Sequence, residues 1–428
     1  MKIINYLNKY KKKYIFKVKI KSLSSLNKWI YCKDFIRHVS NKFFQIYGFQ
    51  IKTNFYKKKK WEQPLIVQKE VGILGIIKKK INNKYLYLLQ IKMEPGNINK
   101  CQLSPTVQAT KSNYTKAHGG KDTPYLNFFL NNYKMKKIFK IKLSEQGLRY
   151  YNKRNYNILL EDKNNIIKKI SNYHWLNKKE LKYLISKKNL INMDTLSVFS
   201  CAINKKKVDM PIIKMKKILD IIKLCKKKYF VLINKISLYK LKDWVIKKDV
   251  IVNSKKNYFS IIGISVKSST REINEWEQPI IAQENLAFSG FITKNFNRTL
   301  HYLVSFDVKP ALKNTCLSCT VKTSDINNYK KNYDLSIYKK NIISQFFIKK
   351  KNGKILYNKI QSDEGGRFFK SQIRYSIFQI FDNYHFKIKE NYMWISHNQM
   401  IDFVKKKYFD IEARILFACY NLYKENID

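Results

Sequence analysis

Residues 61–68 read WEQPLIVQ, and residues 276–283 read WEQPIIAQ. The two segments start 215 positions apart (276 minus 61) and differ at two of their eight positions. The six tryptophans of the chain keep nearly the same spacing and form two sets of three: Trp29, Trp61 and Trp175, and Trp244, Trp276 and Trp394. Self-similarity at one long interval is the signature of a duplicated architecture. The sequence therefore predicts two related structural units.

The repeated segments set the predicted domain boundaries. SEQGLRYY, which starts at Ser144, is matched by SDEGGRFF, which starts at Ser362. The correspondence predicts a domain organisation in four parts: a basic N-terminal extension over residues 1–21, a first repeat over 22–201, a linker over 202–236 and a second repeat over 237–428. Apolar spacing within the linker predicts one amphipathic helix. Each repeat is long enough to bury its own core.

The same helix is predicted behind the third tryptophan of each set. Asn177 with Glu180, and Ser396 with Gln399, fit the spacing of a capping box, and apolar residues then recur at helical intervals.

Strands are predicted over residues 85–93 and 302–308, where apolar side chains alternate. The WEQP segments contain an internal proline, which predicts edge strands or the first residues of strands. Gly75 and Gly290 occupy equivalent places and predict a backbone turn that cannot carry a side chain. Because each unit combines many strands with few helices, the predicted fold class is α+β, with two tandem mixed-sheet domains.

Composition favours a globular protein with a lysine-rich surface. The net charge is +56, and only eight of the 86 basic residues are arginines. A nucleic-acid-binding protein held by phosphate contacts is one alternative. The lysines are spread in short runs, however, without a helix-turn-helix, RNA-binding or zinc-finger pattern. A solvated lysine coat is therefore favoured, and no nucleic-acid partner is predicted. Such a coat still attracts small anions by long-range steering.

The seven cysteines and the apolar runs bear on cofactors and location. An odd cysteine number and the lack of a secretory segment predict a reducing, cytoplasmic location. No run approaches the roughly 20 apolar residues that cross a membrane, so no membrane partner is predicted. Cys316 and Cys319 lack a second ligand pair, and the histidines are scattered. No metal and no cofactor are predicted.

A run of small polar side chains follows the strand predicted over 85–93. Its amides and hydroxyls suit a polyhydroxylated or phosphorylated ligand and belong to Asn97, Gln102, Ser104, Thr106 and Gln108. An ordinary polar loop uses the same residue types for its turns. Glu94, beside this run, is either a functional acid or the ion-pair partner of Lys92.

Two acid–glycine–arginine segments follow later in the units. Arg149 and Arg367 are equivalent, as are Tyr150 and Phe368. The arginine fork suits diphosphate oxygens, and an adjacent ring can stack on a base or sugar. A turn closed by a salt bridge is the alternative, with equal weight.

Several long segments resemble the NDP-hexose 2,3-dehydratase family. They are WEQPLIVQKEVGILGI from Trp61, KMEPGNINKCQLSPTVQATKSNY from Lys92, LSEQGLRYYNKRNYN from Leu143, NMDTLSV from Asn192, QSDEGGRFF from Gln361 and IEARILFAC from Ile411. The resemblance covers nearly the whole chain beyond Lys21. It implies two Nudix-like domains, a homodimer and the substrate dTDP-4-keto-6-deoxyglucose. It also implies loss of the C2 hydroxyl as water without a redox cofactor, giving a 3,4-diketo-2,6-dideoxy sugar nucleotide.

The resemblance also implies roles for particular residues. Sugar-nucleotide contacts are expected from Trp61, Asn97, Gln102, Ser104, Thr106, Gln108 and Phe368, and diphosphate contacts from Arg149, Arg367 and Lys153. The general base is expected to be Glu94 or Glu145, with Tyr114, His118 and Glu364 as further catalytic candidates.

The second unit departs from the family pattern where the first unit keeps it. Residues 309–311 read KPA in place of EPG, and residues 318–322 read SCTVK where the first unit has SPTVQ. This predicts that the first unit carries the active pocket. It leaves open a catalytically weakened nucleotide-sugar-binding protein and, as a third possibility, a lysine-rich nucleic-acid-binding protein.

Overall fold

The computed structural model describes residues 2–111, 122–131, 135–254, 258–271, 273–283, 285–312, 314–325 and 336–427. The α-helices are α1 (Lys2–Lys13), α2 (Leu126–Asn131), α3 (Lys178–Ile185), α4 (Met193–Ser200), α5 (Met215–Lys228), α6 (Ile337–Ile342), α7 (His397–Lys405) and α8 (Ile411–Tyr423). Turns of 3₁₀-helix span Leu23–Ser25, Leu238–Lys240 and Pro310–Leu312, and a π-helical segment spans Ile343–Ile348.

The strands of the first half are β1 (Phe16–Lys21), β2 (Trp29–Tyr31), β3 (Phe35–His38), β4 (Gln45–Thr53), β5 (Lys60–Val67), β6 (Gly72–Ile81), β7 (Lys84–Met93), β8 (Cys101–Ser104), β9 (Val107–Ala109), β10 (Lys136–Ser144), β11 (Tyr150–Tyr151), β12 (Arg154–Glu161) and β13 (Tyr173–Asn177). Those of the second half are β14 (Val231–Ile236), β15 (Trp244–Ile246), β16 (Val250–Asn253), β17 (Ser260–Ser268), β18 (Glu275–Ala282), β19 (Ala287–Phe296), β20 (Thr299–Lys309), β21 (Asn314–Ser318), β22 (Val321–Thr323), β23 (Gly353–Ser362), β24 (Phe368–Phe369), β25 (Gln372–Ile380) and β26 (Tyr392–Ser396).

These strands form two six-stranded and two seven-stranded sheets within the described residues. The smaller sheets run β11-β5-β4-β3-β2 in the first half and β24-β18-β17-β16-β15 in the second. The larger sheets run β10-β12-β6-β7-β13 and β23-β25-β19-β20-β26, each with two short strands beside this path. Parallel pairs such as β12 with β6 occur among antiparallel ones, so the sheets are mixed and the α+β prediction is confirmed.

Each half completes a sheet of the other half. Strand β1, which lies in the segment predicted as an N-terminal extension, pairs antiparallel with β17 of the second half. Strand β14 pairs in the same way with β4 of the first half. Amphipathic helices precede both strands: α1 buries Ile3 and Leu7, and α5 buries Ile218 and Ile222. The exchange binds the halves together through backbone hydrogen bonds.

A single large core joins the halves. Helices α4 and α8 pack against each other, and their apolar residues cluster with the inner faces of both seven-stranded sheets. Burial of this size is the main source of folding free energy. No helix in the described part of the chain is long and apolar enough to cross a membrane.

The capping boxes are present as predicted. Asn177 accepts from the backbone of Glu180 at the start of α3, and Ser396 accepts from that of Gln399 at the start of α7, with the reciprocal bonds formed in both.

The turn predicted at Gly75 and Gly290 is wrong. Both glycines lie within strands, in β6 and β19. An aromatic ring covers each of them: a Cβ atom on Gly75 would overlap the ring of Phe129, and one on Gly290 would approach Phe347 to 2.7 Å. The glycines are therefore needed for close packing over a strand.

Candidate active site

A cavity of about 540 Å³ lies between the two halves. The first half contributes β9, β12, the C-terminal end of β7, the start of α4 and the β2–β3 region. The second half contributes β17, β18 and the loop before β24. The cavity therefore contains some of the first-unit residues predicted to form it, and its wall also requires the second unit.

Two glycines let the loops of the two halves meet at the cavity. The Gly96 amide donates to the Gly365 carbonyl at 2.7 Å, and the Lys370 amide donates to the Gly96 carbonyl at 2.9 Å. A Cβ atom on Gly96 would overlap the carbonyl oxygen of Phe368, and one on Gly365 would overlap the Asn97 amide. The EPG and DEGG motifs are thus two sides of one contact, which brings Glu364 and Arg367 to the first-half wall.

Glu94 lines the cavity and is also ion-paired. Its Oε1 atom lies 3.2 Å from Lys92 Nζ and accepts a hydrogen bond from Gln108 Nε2 at 3.2 Å. Its Oε2 atom is buried without a hydrogen-bond partner. The ion pair expected with Lys92 is therefore present, at the cavity wall, and the role of Glu94 as a functional acid stays a prediction.

Glu364 is held against Tyr150. The Tyr150 hydroxyl donates to Glu364 Oε2 at 2.8 Å, and both residues line the cavity. Burial raises the pKa of Glu364, and nearby Glu94 raises it further, whereas Arg367 opposes the shift. Burial and the Glu364 carboxylate also raise the pKa of Tyr150 well above its ordinary value. Tyr150 therefore remains a neutral hydrogen-bond donor.

Asp194 contributes a further carboxyl group to the cavity. It lies at the second position of α4, only 5% exposed. Burial, followed by repulsion from Glu364, Glu145 and Glu94, raises the pKa of Asp194 well above its ordinary range. A carboxyl group in such a place favours its protonated form.

Cationic and aromatic side chains complete the wall. The Arg367 guanidinium lies 4.2 Å from the centre of the Phe44 ring. Lys153 Nζ donates to the Glu70 carbonyl at 2.6 Å, and burial lowers the pKa of Lys153. The indole rings of Trp29 and Trp276 also line the cavity. Arginine beside rings suits a ligand with a diphosphate and a flat base.

Comparison with known proteins identifies the family. The sequence profile of the NDP-hexose 2,3-dehydratase family matches residues 1–202 and 215–420. The chain belongs to the NDP-hexose 2,3-dehydratase family.

Relatives of this family member span most of its length. A protein of Saccharopolyspora spinosa named dTDP-4-dehydro-6-deoxy-alpha-D-glucopyranose 2,3-dehydratase is 29% identical over 420 residues, which cover 92% of this chain and 85% of that protein. A protein of the same name from Streptomyces violaceoruber is 30% identical over 90% of this chain and 88% of its own length. A solved structure titled as an ADP compounds hydrolase covers 37% of this chain and 79% of its own, with 11% identity and a TM-score of 0.21.

Five residues predicted for the site of this dehydratase-family chain line the cavity: Glu94, Gln108, Lys153, Glu364 and Arg367. Glu145 lies close by, where its carboxylate accepts from Asn155 Nδ2 at 2.8 Å, and Asn155 is itself part of the wall. Burial raises the pKa of Glu145, while Arg414 opposes the shift.

Three polar residues of the LSPTVQ region hold the fold around the cavity. Gln102 donates to the Ser362 hydroxyl, and Ser104 accepts from Asn192 at 2.9 Å. Thr106 joins two strands, since it accepts from the Ile77 amide and donates to the Leu88 carbonyl. All three are buried. Their role as ligand contacts stays a prediction.

Arg149, Trp61 and Phe368 lie away from the cavity wall, and the crossing of the halves explains why. The Arg149 guanidinium lies 4.3 Å from the ring centre of Phe259 and donates to Gln283 at 2.9 Å. Trp61 packs beside a small core containing Ala311. Phe368 is buried in another core, where its ring contacts that of Tyr150. The loop of each half faces the other, so Arg367 and Trp276 occupy the places expected for Arg149 and Trp61.

Asn97 supports the loop contact rather than the wall, since its amide donates to the Lys100 carbonyl at 3.4 Å and packs on Gly365. Tyr114 and His118 lie outside the described residues, so their candidacy stays a prediction.

Asp194, Arg271 and Trp276 line the cavity without having been predicted as site residues. Asp194 belongs to the NMDTLSV block, and Trp276 is the equivalent of Trp61, so both carried a usable signal. Arg271 lines the cavity with its guanidinium 3.9 Å from Glu94 Oε1. No pattern in the sequence links these two residues, because the contact depends on how the halves dock.

The equivalent place in the second half is filled by a buried ion cluster. Lys322 Nζ lies 2.7 Å from both Asp307 and Asp410, and Lys309 Nζ lies 3.1 Å from Asp410 and 3.4 Å from Glu412. Although burial opposes the shift, Lys322 and Lys309 hold the pKa of Asp307 far below its usual range. The charges of Glu94 and Lys92 are thus exchanged here, and two lysines are paired with three carboxylates.

Proposed function

We propose that this protein eliminates water across C2 and C3 of dTDP-4-keto-6-deoxyglucose. The product would be a 3,4-diketo-2,6-dideoxy sugar nucleotide for deoxysugar biosynthesis. Membership of the dehydratase family and the names of its relatives support the reaction class. The observation that carries the proposal is the cavity, because it joins flat rings to acidic and cationic groups from the motifs that resemble the family.

The chemistry requires a base, an acid and a donor for the C4 oxygen. The C3 proton is acidic because it lies beside the C4 ketone, so a carboxylate can remove it if the developing oxyanion is stabilised. Glu364 is proposed as this base, since its pKa is raised and its orientation is fixed by Tyr150. This choice differs from the order expected from the sequence. Glu94 Oε1 already accepts a hydrogen bond from Gln108, and Glu94 Oε2 is buried.

The other parts of the ligand have matching groups. Arg367, with Lys92 and Lys153, is proposed to face the diphosphate and the sugar oxygens. Trp29 or Trp276 is proposed to cover the thymine ring, since tryptophan is a stacking platform for bases.

Turnover of the sugar nucleotide tests the function. Purified protein incubated with dTDP-4-keto-6-deoxyglucose should consume it and release dTDP as the unstable diketo product breaks down. Glu364→Gln should lower kcat at least about 100-fold, the usual contribution of a positioned base. A folded wild-type protein that binds dTDP but leaves the sugar intact would show a binding protein instead, and one that binds neither would contradict the proposal.

The two halves and the composition also bear on the origin, oligomeric state and location of the protein. The two halves are proposed to derive from a duplication of one Nudix-like domain, which the matching strand orders of their sheets support. A homodimer in the cytoplasm is proposed from the family resemblance and the cysteine content. The dispersed lysines favour a protein without a nucleic-acid partner.

A further inference from the structure

Asp194 is a cavity carboxyl group without a partner. The structure gives it no hydrogen bond and no ion pair among the described residues, although it is only 5% exposed and lines the wall. A buried carboxylate without compensation is costly, so such a group stays protonated. A protonated carboxyl can donate a hydrogen bond and a proton.

The start of α4 holds Asp194 in place. Asn192 caps this helix, with its Oδ1 atom accepting from the Thr195 amide at 2.9 Å. Its Nδ2 atom donates to Ser104 Oγ at 2.9 Å and to Gln108 Oε1 at 3.2 Å. The cap thus ties the helix to the polar strands beside it. Asp194 therefore has a defined position, which a proton donor needs.

The second half provides an internal comparison. Glu412 occupies the same position in α8, the second residue after its cap. Its carboxylate lies 3.4 Å from Lys309 Nζ and 4.0 Å from Lys322 Nζ. In the first half these lysines are replaced by Glu94 and Gln108. The same fold position holds a paired acid in one half and an unpaired acid in the other, so the fold itself does not require the unpaired state.

We propose that Asp194 is the general acid of the dehydration and gives its proton to the departing C2 hydroxyl. This assignment rests on the proposed function. Glu364 takes the C3 proton, and the electron pair of that bond forms the C3–C4 enolate. When the C4 carbonyl reforms, a C2–C3 double bond forms and the C2–O bond breaks with its electrons on oxygen. The proton from Asp194 completes the water molecule, and the remaining C3 enol becomes the ketone.

Proton exchange separates the acid from the base. Asp194→Asn should lower elimination at least about 100-fold, while deuterium from D₂O still enters at C3 of the substrate. The enolate still forms on Glu364 in this variant and returns to substrate because the hydroxyl cannot leave. Proton NMR follows both signals, and dTDP binding should change less than about threefold. Since asparagine has the shape of a protonated aspartate, the melting temperature should be retained, and Asp194→Ser provides a second test with the same expectation.

Glu412→Gln is the matched control, because it makes the same kind of change at the equivalent position outside the cavity. It should retain elimination and exchange within about twofold. Loss of exchange together with elimination in both Asp194 variants, with dTDP binding kept, would overturn the assignment. So would elimination within about tenfold of wild type. Wild-type protein that shows neither reaction would contradict the proposed function instead.

Discussion

Single substitutions between equivalent residues distinguish the two halves. Glu94 in the first half corresponds to Lys309, and Gln108 corresponds to Lys322. Each lysine brings a positive charge to a place surrounded by carboxylates, where it forms close ion pairs. In the first half no lysine stands at these positions, and Glu94 and Asp194 both face the cavity. The identity of the residues at these two positions therefore distinguishes the cavity of the first half from the ion cluster of the second.

Asp363, the equivalent of Glu145, leads to a prediction about pH. Burial raises the pKa of Asp363 to about 7, although Gln146 and the Glu364 amide both donate to its carboxyl. The folded pKa exceeds the unfolded value, so this group stabilises the fold most at low pH and loses that contribution as the pH rises to about 7. The free energy of unfolding of the wild type and of Asp363→Asn can be measured in urea at pH 5 to 8. The wild-type value should fall relative to that of the variant by about 1 kcal/mol per pH unit up to pH 7. Parallel profiles for the two proteins would contradict this expectation.

At the scale of elements, pairing across the halves is the main finding. β1 and β14 exchange sheets, and both lie in stretches that the sequence assigned to an extension and a linker. Short strands with open edges invite such pairing. Long-range packing also determines a residue in strands β6 and β19. Each strand carries a glycine beneath an aromatic ring from a segment more than 50 positions later.

Gly75→Ala tests the packing of a ring on β6. The added methyl group would overlap the Phe129 ring, so the free energy of unfolding should fall by about 1–3 kcal/mol. In the background of Phe129→Leu the same change should cost less, because the ring is gone. A double-mutant cycle with chemical denaturation measures this coupling. Additive effects of the two changes would show that the ring and the glycine do not constrain each other.

At the scale of the whole molecule, neither half forms the cavity alone. Trp29 in the first half donates to the Glu277 carbonyl at 2.7 Å, and Trp244 in the second donates to the Glu62 carbonyl at 2.9 Å. These symmetric contacts, with the crossed loops, produce two equivalent places between the halves. One is the cavity, and the other contains the buried ion cluster.

The filled second place predicts one nucleotide site per chain. Calorimetric titration with dTDP should give a stoichiometry near one, since Lys309 and Lys322 at the second place are already paired with carboxylates of their own half. Arg367→Ala should weaken binding at least about tenfold. Arg149→Ala, the same change at the equivalent arginine, should leave affinity within about twofold. Two sites per chain, or equal effects of the two substitutions, would contradict this prediction.

Local sequence patterns by themselves determined the division into two units and several of the helices and strands. The spacing of tryptophans and WEQP segments indicated two units, and the capping boxes and alternating strands were found where predicted. Such features depend on neighbours a few residues apart, or on direct comparison of one half with the other. The EPG, PTVQ and DEGGR motifs likewise pointed to the polar residues around the cavity.

Only the tertiary structure decided which copy of each motif meets the cavity. It brought Arg367 and Trp276 to the wall in place of Arg149 and Trp61, and it placed Asp194 there as an unpaired acid. Packing within the first half explains Gly75, whose partner ring belongs to helix α2. These outcomes depend on contacts between residues up to about 270 positions apart, and no local periodicity carries that information.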